Sequence, residues 1–288
     1  MALWQTRFVI SQLAEAADHP AIEPLVVSTE ADRRLDLAIS QLGGKGAFAK
    51  EVQAAVLEGR ADLAVHSAKD LPSTSPPGLV IGAVLERHDP RDALVGATLA
   101  ELGPGARVGT GSPRRRAQLA WLRPDLTFGE VRGNVNTRLA KLDAGQTDVL
   151  VLALAGLQRL GMAERVSEVL SPEVMLPQVA QGTLAIECRE DDEVALALLA
   201  RLEHAPTRRS FDAERAFLAT LGGDCYLPAG AHATHLGDGR LQLEAMLASL
   251  DGHVILRHSV VGPEPATLGT EAASYLLDRA GGRELLER

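Results

Sequence analysis

Aromatic side chains are scarce, making up 3% of the 288 residues. A core built almost without rings must consist of Leu, Val, Ile and Ala, which favours layered α/β packing over an aromatic-rich β-sandwich. The same scarcity leaves too few rings for a platform on which nucleic-acid bases could stack. Cysteine is scarcer still: Cys188 and Cys225 lie far apart, which argues against a disulfide framework. No apolar run suggests a membrane span. The first nineteen residues read as an amphipathic helix and lack the basic region, apolar stretch and small-residue cleavage site of a secretory signal, so the cytoplasm is the expected compartment. Excess positive charge is absent too. The formal net charge is −9, and with no helix-turn-helix or zinc pattern this counts against nucleic acid as a partner. No metal is expected either, since His232 and His235 in HATH have no third ligand beside them. LGGKGAF (42–48) lacks the upstream glycine and the following Ser/Thr that a P-loop needs. There is no internal repeat and no low-complexity segment.

What is present is enough apolar content, 46%, to bury a large core, in a chain long enough for two or three domains. Short apolar runs at 61–67, 106–112, 126–131, 147–155 and 183–188 read as strands. Helical patterns at 48–59, 113–122, 135–145 and 192–203 stand between them. Such alternation predicts parallel sheets covered on both faces. Breaks fall near 85–105 and near 204–210. Beyond the second come a helix, two β-patterned segments (LQLEAMLASL and HVILRHSVV) and a closing helix.

In a doubly wound sheet, ligands bind beyond the C-terminal ends of the strands. The junctions there are unusually basic. VGTGSPRRR places Ser112 as an N-cap and Pro113 at the first helical position, with Arg114, Arg115 and Arg116 opposing the helix dipole. VRGNVNTR repeats the plan with Arg132, a capping Asn134 and Arg138 one turn inside. LALAGLQRLG puts Arg159 beyond a third junction. Residues 107–165 hold ten Lys/Arg against five Asp/Glu. A solvated basic face would account for that excess. Convergence of three junctions on one crevice points instead to a site for several carboxylates or phosphates, which arginine holds bidentately.

At ADLAVHSAKDLP, His66, Ser67, Lys69 and Asp70 cluster at a strand end. A surface ion pair is the ordinary reading of Lys69 beside Asp70. At the mouth of an anion-filled cleft, the carboxylate could also stabilise a developing cation and exchange a proton with a leaving amine. Lys45 and Phe48 come to the same edge from a glycine-rich loop. Cys188 alternates with Ile186 and Leu184 on one strand face and reads as a core residue. Cys225, in LGGDCYLPAG, lies among turn residues, either as an incidental loop cysteine or as a functional thiol.

HSAKDLP, GSPRRRAQ, VRGNVNTRL, LALAGLQRLG, VAQGTLAIECR and LGGDCYLP, in that order and spacing, resemble the hydroxymethylbilane synthase (porphobilinogen deaminase) family over nearly the whole chain. The resemblance implies a transferase of haem biosynthesis that links four porphobilinogen molecules into 1-hydroxymethylbilane and releases ammonia each time. It implies a dipyrromethane cofactor tethered as a thioether to Cys225. Asp70 matches the catalytic aspartate, with Lys69 beside it. Lys45, Arg114, Arg115, Arg132, Arg138 and Arg159 match positions that hold acetate and propionate groups. Thr110 and Ser112 match cofactor-side polar contacts, with Ser67 and Phe48 on the substrate side. The implied fold is α/β: two doubly wound domains like those of periplasmic binding proteins (1–85 with 183–200, and 88–178), then a smaller α+β domain (205–288) carrying the cysteine. A monomer that hands its product to uroporphyrinogen-III synthase is expected.

Three departures accompany the resemblance. Family members carry, ahead of ALWQ, a first strand with an arginine and a serine, whereas this chain starts at Met1. An internal start or an impaired enzyme with an exposed sheet edge is therefore expected. Glu30 in STEAD occupies a position that is usually basic. Asp224 stands where glycine commonly precedes the anchor cysteine. The competing function is a non-catalytic anion-binding protein of periplasmic-binding-protein-like fold, because fold alone does not decide activity.

Overall fold

The computed structural model describes residues 1–16, 21–29, 49–222 and 227–286. Helix α1 (Ala2–Ala16) buries Gln5, Val9 and Leu13, a four-residue spacing that keeps one stripe against the protein. Its Trp4 and Phe8 stack at 5.2 Å, and both meet the ring of His88 edge-on. Helix α2 (Lys50–Leu57) precedes β1 (Leu63–Ser67), and a single 3-10 turn, Ala68–Asp70, follows β1 directly.

The first sheet has the order β1–β8–β2, with β2 at Leu79–Val84 and β8 at Leu184–Arg189. The central strand runs antiparallel to both neighbours, pairing Val65 with Ile186 on one side and Ala83 with Ile186 on the other. Flanked on both edges, β8 is buried from Leu184 to Cys188, which places the Cys188 side chain in the core. The described strands of this sheet therefore depart from the parallel pattern that alternation suggests. β1 and β2 share a direction, but β8 separates them.

The second sheet is mixed and runs β5–β4–β6–β3–β7. β4 (Arg107–Gly109), β5 (Thr127–Gly129) and β6 (Val149–Ala153) are parallel, and β3 (Asp92–Val95) pairs antiparallel with β6 and with β7 (Glu168–Val169). β3 lies within the segment where the sequence suggested a break. Each parallel strand leads straight into a helix: β4 into α3 (Pro113–Leu122), β5 into α4 (Val135–Asp143), β6 into α5 (Leu154–Arg159). All three helix N-termini therefore open on the same edge of the sheet. After β8 comes the short α6 (Glu193–Leu199).

The third domain is an antiparallel sheet, β11–β10–β9, formed by Ala229–His235, Leu241–Ala248 and Ile255–Gly262. It is covered by α7 (Ala205–Thr220) and α8 (Pro265–Ser274), a π-helical turn (Tyr275–Arg279) and α9 (Gly282–Leu286). The two long helices touch backbone to backbone at Gly269, where a Cβ would collide with the carbonyl oxygen of Ala213. The apolar core of this domain continues into the first: Phe211, Phe217 and Leu243 share a cluster with Ala68, Leu71, Val84 and Ala185. Among the described residues, no helix is long and apolar enough to cross a membrane.

Residues 85–91 and 178–183, which link the first sheet to the second outside regular secondary structure, cross beside this core. At one point the crossing leaves no room for a side chain. Gly182 has φ +91° and a Cβ there would strike the carbonyl oxygen of His88, while Ala180 is the one described non-glycine residue with positive φ, at 58°. Its amide donates to the buried carboxylate of Glu214 on α7, which also ion-pairs with Arg87 at 2.6 Å.

Candidate active site

A cleft of about 430 Å³ lies between the first two domains, where the β1 turn faces the three strand-to-helix junctions. Local sequence builds each wall. At the β4–α3 junction, Ser112 caps the helix by accepting from the Arg115 amide at 3.4 Å, and Thr110 Oγ1 accepts from the Ser112 amide at 3.2 Å. At the β5–α4 junction, Asn134 Oδ1 accepts from the Thr137 amide at 3.0 Å. Gly133 takes the positive φ of 107° that the turn demands.

The arginines then divide. Arg116 turns away and lies over the Phe128 ring. Arg114 is buried behind the cleft wall, donating from Nη1 to the Leu176 carbonyl at 2.7 Å and pairing through Nη2 with Asp92 at 2.8 Å. Arg115 lines the cleft and holds the other oxygen of Asp92, from Nε at 3.0 Å and Nη2 at 2.8 Å. Asp92 is fully buried at the start of β3. Burial alone would raise its pKa, but the guanidinium groups of Arg114 and Arg115 outweigh that effect and hold it at about 2. The two arginines at the positive end of α3 are thus tolerated because a buried carboxylate answers them.

Arg132, Arg138 and Arg159 complete the basic side. Arg138 donates from Nε to the Gly133 carbonyl at 2.8 Å, and Arg159 from Nη2 to the Gly182 carbonyl at 2.7 Å with its guanidinium over Trp4. Burial brings both down to a pKa of about 10, with repulsion from Arg115 and Arg132 adding to the effect at Arg138. Arg132 Nη1, Arg159 Nε and the Thr183 hydroxyl are buried and have no hydrogen-bond partner among the described residues. Donors stranded in this way favour acceptors brought by a ligand.

The opposite wall is the β1 turn. Ser67 Oγ accepts from Gln5 Nε2 at 2.6 Å. Lys69 reaches Gln181 Oε1 at 3.3 Å, and burial together with the charge of Arg115 lowers its pKa to about 8. Burial raises the pKa of Asp70, and attraction to Lys69, His66 and Arg138 only partly offsets this. Among the described residues, six cations, Lys69, Arg114, Arg115, Arg132, Arg138 and Arg159, therefore line or back the cleft against the carboxylates of Asp70 and Asp92. That surplus is suited to a ligand with several carboxylates.

One side chain joins the two walls. Gln181 is fully buried at the domain crossing. Its Oε1 faces Lys69 and, at 3.5 Å, Arg115, while its Nε2 donates to the Pro90 carbonyl at 2.7 Å and to Asp92 at 2.9 Å. Behind the crossing a second cavity of about 520 Å³ includes Arg87 and Arg91, but both are already paired, with Glu214 and Asp89 respectively. It offers no comparable surplus of charge.

Of the residues singled out in the sequence, Ser67, Lys69, Asp70, Ser112, Arg115, Arg132, Arg138 and Arg159 line the cleft. Thr110 and Arg114 stand behind its wall. Lys45, Phe48 and Cys225, and with them Glu30 and Asp224, lie outside the described residues. Gln5, Asp92, Gln178, Gln181 and Thr183 belong to the site or its support without having been anticipated. Neutral amides carry no charge pattern, and Asp92 sits in the mixed run HDPRD, far ahead in sequence of the arginines it holds, 23 residues before Arg115. Among the described residues, no group of three His, Cys, Asp or Glu could hold a metal ion.

The chain matches a family model described as porphobilinogen deaminase, dipyromethane cofactor binding domain, over residues 1–197, and one described as porphobilinogen deaminase, C-terminal domain, over 209–278. It is 45% identical to a porphobilinogen deaminase of Bacillus pumilus, covering 100% of this chain and 94% of that one. For the enzyme of the same name from Gloeobacter violaceus the identity is 47%, over 100% and 90%. With Bacillus subtilis it is 43%, over 100% and 93%. Among solved structures, the Bordetella pertussis BvgS periplasmic VFT2 domain aligns at 16% identity with a TM-score of 0.38, over 68% of this chain and 75% of that one.

Proposed function

The chain belongs to the porphobilinogen deaminase family, and from that premise we propose that Asp70 is the proton-handling carboxylate of a cleft that grips its substrate by the carboxylates. The enzyme is a transferase of tetrapyrrole biosynthesis that condenses four porphobilinogen molecules into 1-hydroxymethylbilane with release of ammonia. Its cofactor is dipyrromethane. When bound, that group supplies the pyrrole carbon from which the chain is primed. The donor set suits it: the stranded donors on Arg132, Arg159 and Thr183 can be satisfied by its acidic side chains. We assign the tether to Cys225.

Each porphobilinogen brings an acetate, a propionate and an aminomethyl group. Arg115, Arg132, Arg138 and Arg159 hold the acids, each charge-assisted bond contributing about 1.5–3 kcal/mol. Breaking the C–N bond releases ammonia and leaves positive charge on the substrate's ring and methylene carbon. Asp70 stands where a fixed negative charge opposes that cation. Its elevated pKa also fits it to donate a proton to the departing amine and to accept the ring proton shed once the new C–C bond has formed. Attraction to the Lys69 ammonium offsets part of that rise.

The observation that carries this reading is the position of a partly desolvated carboxylate within a strongly cationic cleft. Asp70→Asn keeps the shape and removes the charge. Turnover of porphobilinogen is expected to fall by about 10²–10⁴ while the fold is kept, and unchanged turnover would overturn the assignment. We propose further that the enzyme works as a cytoplasmic monomer and hands its product to uroporphyrinogen-III synthase. Sedimentation at the mass of one 30.5 kDa chain and a faster coupled than uncoupled flux are the results expected.

A further inference from the structure

The turn that carries Asp70 rests on the third domain. Arg215, on α7, donates from Nη1 to the Pro72 carbonyl at 2.8 Å and from Nη2 to the Ser73 carbonyl at 3.0 Å. Those carbonyls follow Asp70 by two and three residues. Its guanidinium also lies over the Phe211 ring at 5.2 Å. A planar fork that makes two parallel bonds and a stacking contact is held in one orientation, which a flexible ammonium would not be.

The apolar half of the attachment comes from the residues flanking Lys69 and Asp70. Ala68 and Leu71 are 3% and 5% exposed and belong to the same cluster as Phe211, Phe217, Leu218 and Leu221. With Ala68 and Leu71 turned into that core, Lys69 and Asp70 are left facing the cleft. As far as Lys69 the segment is also held from the other side: the Ala68 amide donates to the Thr183 carbonyl at 3.0 Å and Gln178 Nε2 to the Lys69 carbonyl at 3.2 Å, while His66 and Ser75 both contact Glu187, at 3.0 and 2.9 Å. Just beyond Asp70, at Pro72 and Ser73, the hold comes from Arg215 on α7. The same helix ends at Thr220, five residues before Cys225.

We propose that Arg215 is a positioning residue for the condensation: it locks the Asp70 turn to α7, so that the carboxylate keeps its place in the cleft while the product chain lengthens. The inference rests on the assignment of Asp70 above. A carboxylate displaced by about 1 Å loses on the order of 10²-fold in rate, and the staple guards against such a displacement without touching substrate.

The test uses the cofactor-loaded enzyme with Arg215→Gln, Arg215→Lys and Asp70→Asn, comparing kcat, KM for porphobilinogen, intact-mass distributions of stalled chains, and thermal unfolding. Arg215→Gln is expected to carry the cofactor mass and keep KM within about twofold. Its kcat should drop about 10–100-fold, with partly elongated species accumulating. Arg215→Lys, able to reach one carbonyl, should recover part of kcat. A purely structural residue would lower the melting temperature and leave the specific activity of the folded protein unchanged; that result overturns the inference. Should Arg215→Gln not fold, Arg215→Lys decides, and wild-type kcat in it counts against us. Normal turnover in Asp70→Asn would instead bring down the underlying assignment, whereas a dead Asp70→Asn beside a wild-type Arg215→Gln removes the positioning role alone.

Discussion

Asp92→Asn should be among the most damaging isosteric substitutions in this protein, although Asp92 is not on the cleft surface. The carboxylate is fully buried and faces Arg114 Nη2 and Arg115 Nη2, each at 2.8 Å, and the Gln181 amide at 2.9 Å. An asparagine keeps the shape, yet it leaves two buried guanidinium groups without a counter-ion and turns an NH₂ towards donors. Removing one partner of a buried pair costs about 3–5 kcal/mol. At about 2–4 °C per kcal/mol, that lowers the melting temperature by roughly 6–20 °C.

Asp148→Asn is the control. Its pair with Arg107 is as short, at 2.6 Å, but the two side chains are 41% and 51% exposed, so solvent replaces what is lost and the melting temperature should stay near wild type. The assay is thermal unfolding by circular dichroism at pH 7 and then down an acid series. Asp92 has its folded pKa depressed to about 2 from 3.8, so its contribution is complete above about pH 4 and disappears as pH falls towards 2. The wild type should lose that part of its stability across this window, and Asp92→Asn should show a flatter profile there. If Asp92→Asn melts as close to wild type as Asp148→Asn does, the buried pair is not what holds the arginine wall.

Three further outcomes are expected. Lys69 titrates at about 8, so kcat/KM should fall as pH rises through that value, and Lys69→Arg should carry the limb upward; an unmoved limb excludes Lys69 as its source. Because its folded pKa lies below 10.5, the charged lysine is a cost to the fold at neutral pH, and stability should rise between about pH 8 and 10.5. Gly182→Ala forces a Cβ onto the His88 carbonyl at φ +91° and should destabilise by about 1–3 kcal/mol, read as a lower melting temperature; a wild-type melt would mean that the crossing has slack.

The sequence made the helix starts legible, because a cap is a local event: Ser112 and Asn134 each bond an amide three residues on. The clustering of Arg115, Arg132, Arg138 and Arg159 was legible for a related reason, since strand-to-helix junctions of parallel strands must share an edge. Strand direction was not. Nothing in TLAIEC distinguishes a strand parallel to its neighbours from one antiparallel to both, as β8 is. The division of the RRR run was hidden as well. Arg114 and Arg115 turn inward towards Asp92 and Arg116 outward to Phe128, and that choice is made by a residue on another strand. Gln5, Gln178 and Gln181 show the same limit, since a neutral amide acquires meaning only from what it faces.

Gln181 has a consequence for how the two halves of the enzyme can meet. Its oxygen looks at the cation of one domain and its nitrogen at the anion of the other. Turned end for end, the amide would set donor against donor and acceptor against acceptor on both sides. The crossing therefore works as a key with one orientation. Glutamate there would confront Asp92, lysine would confront Lys69, and only a neutral group with two unlike ends satisfies both domains in the position where Asp70 and the arginines face a common space.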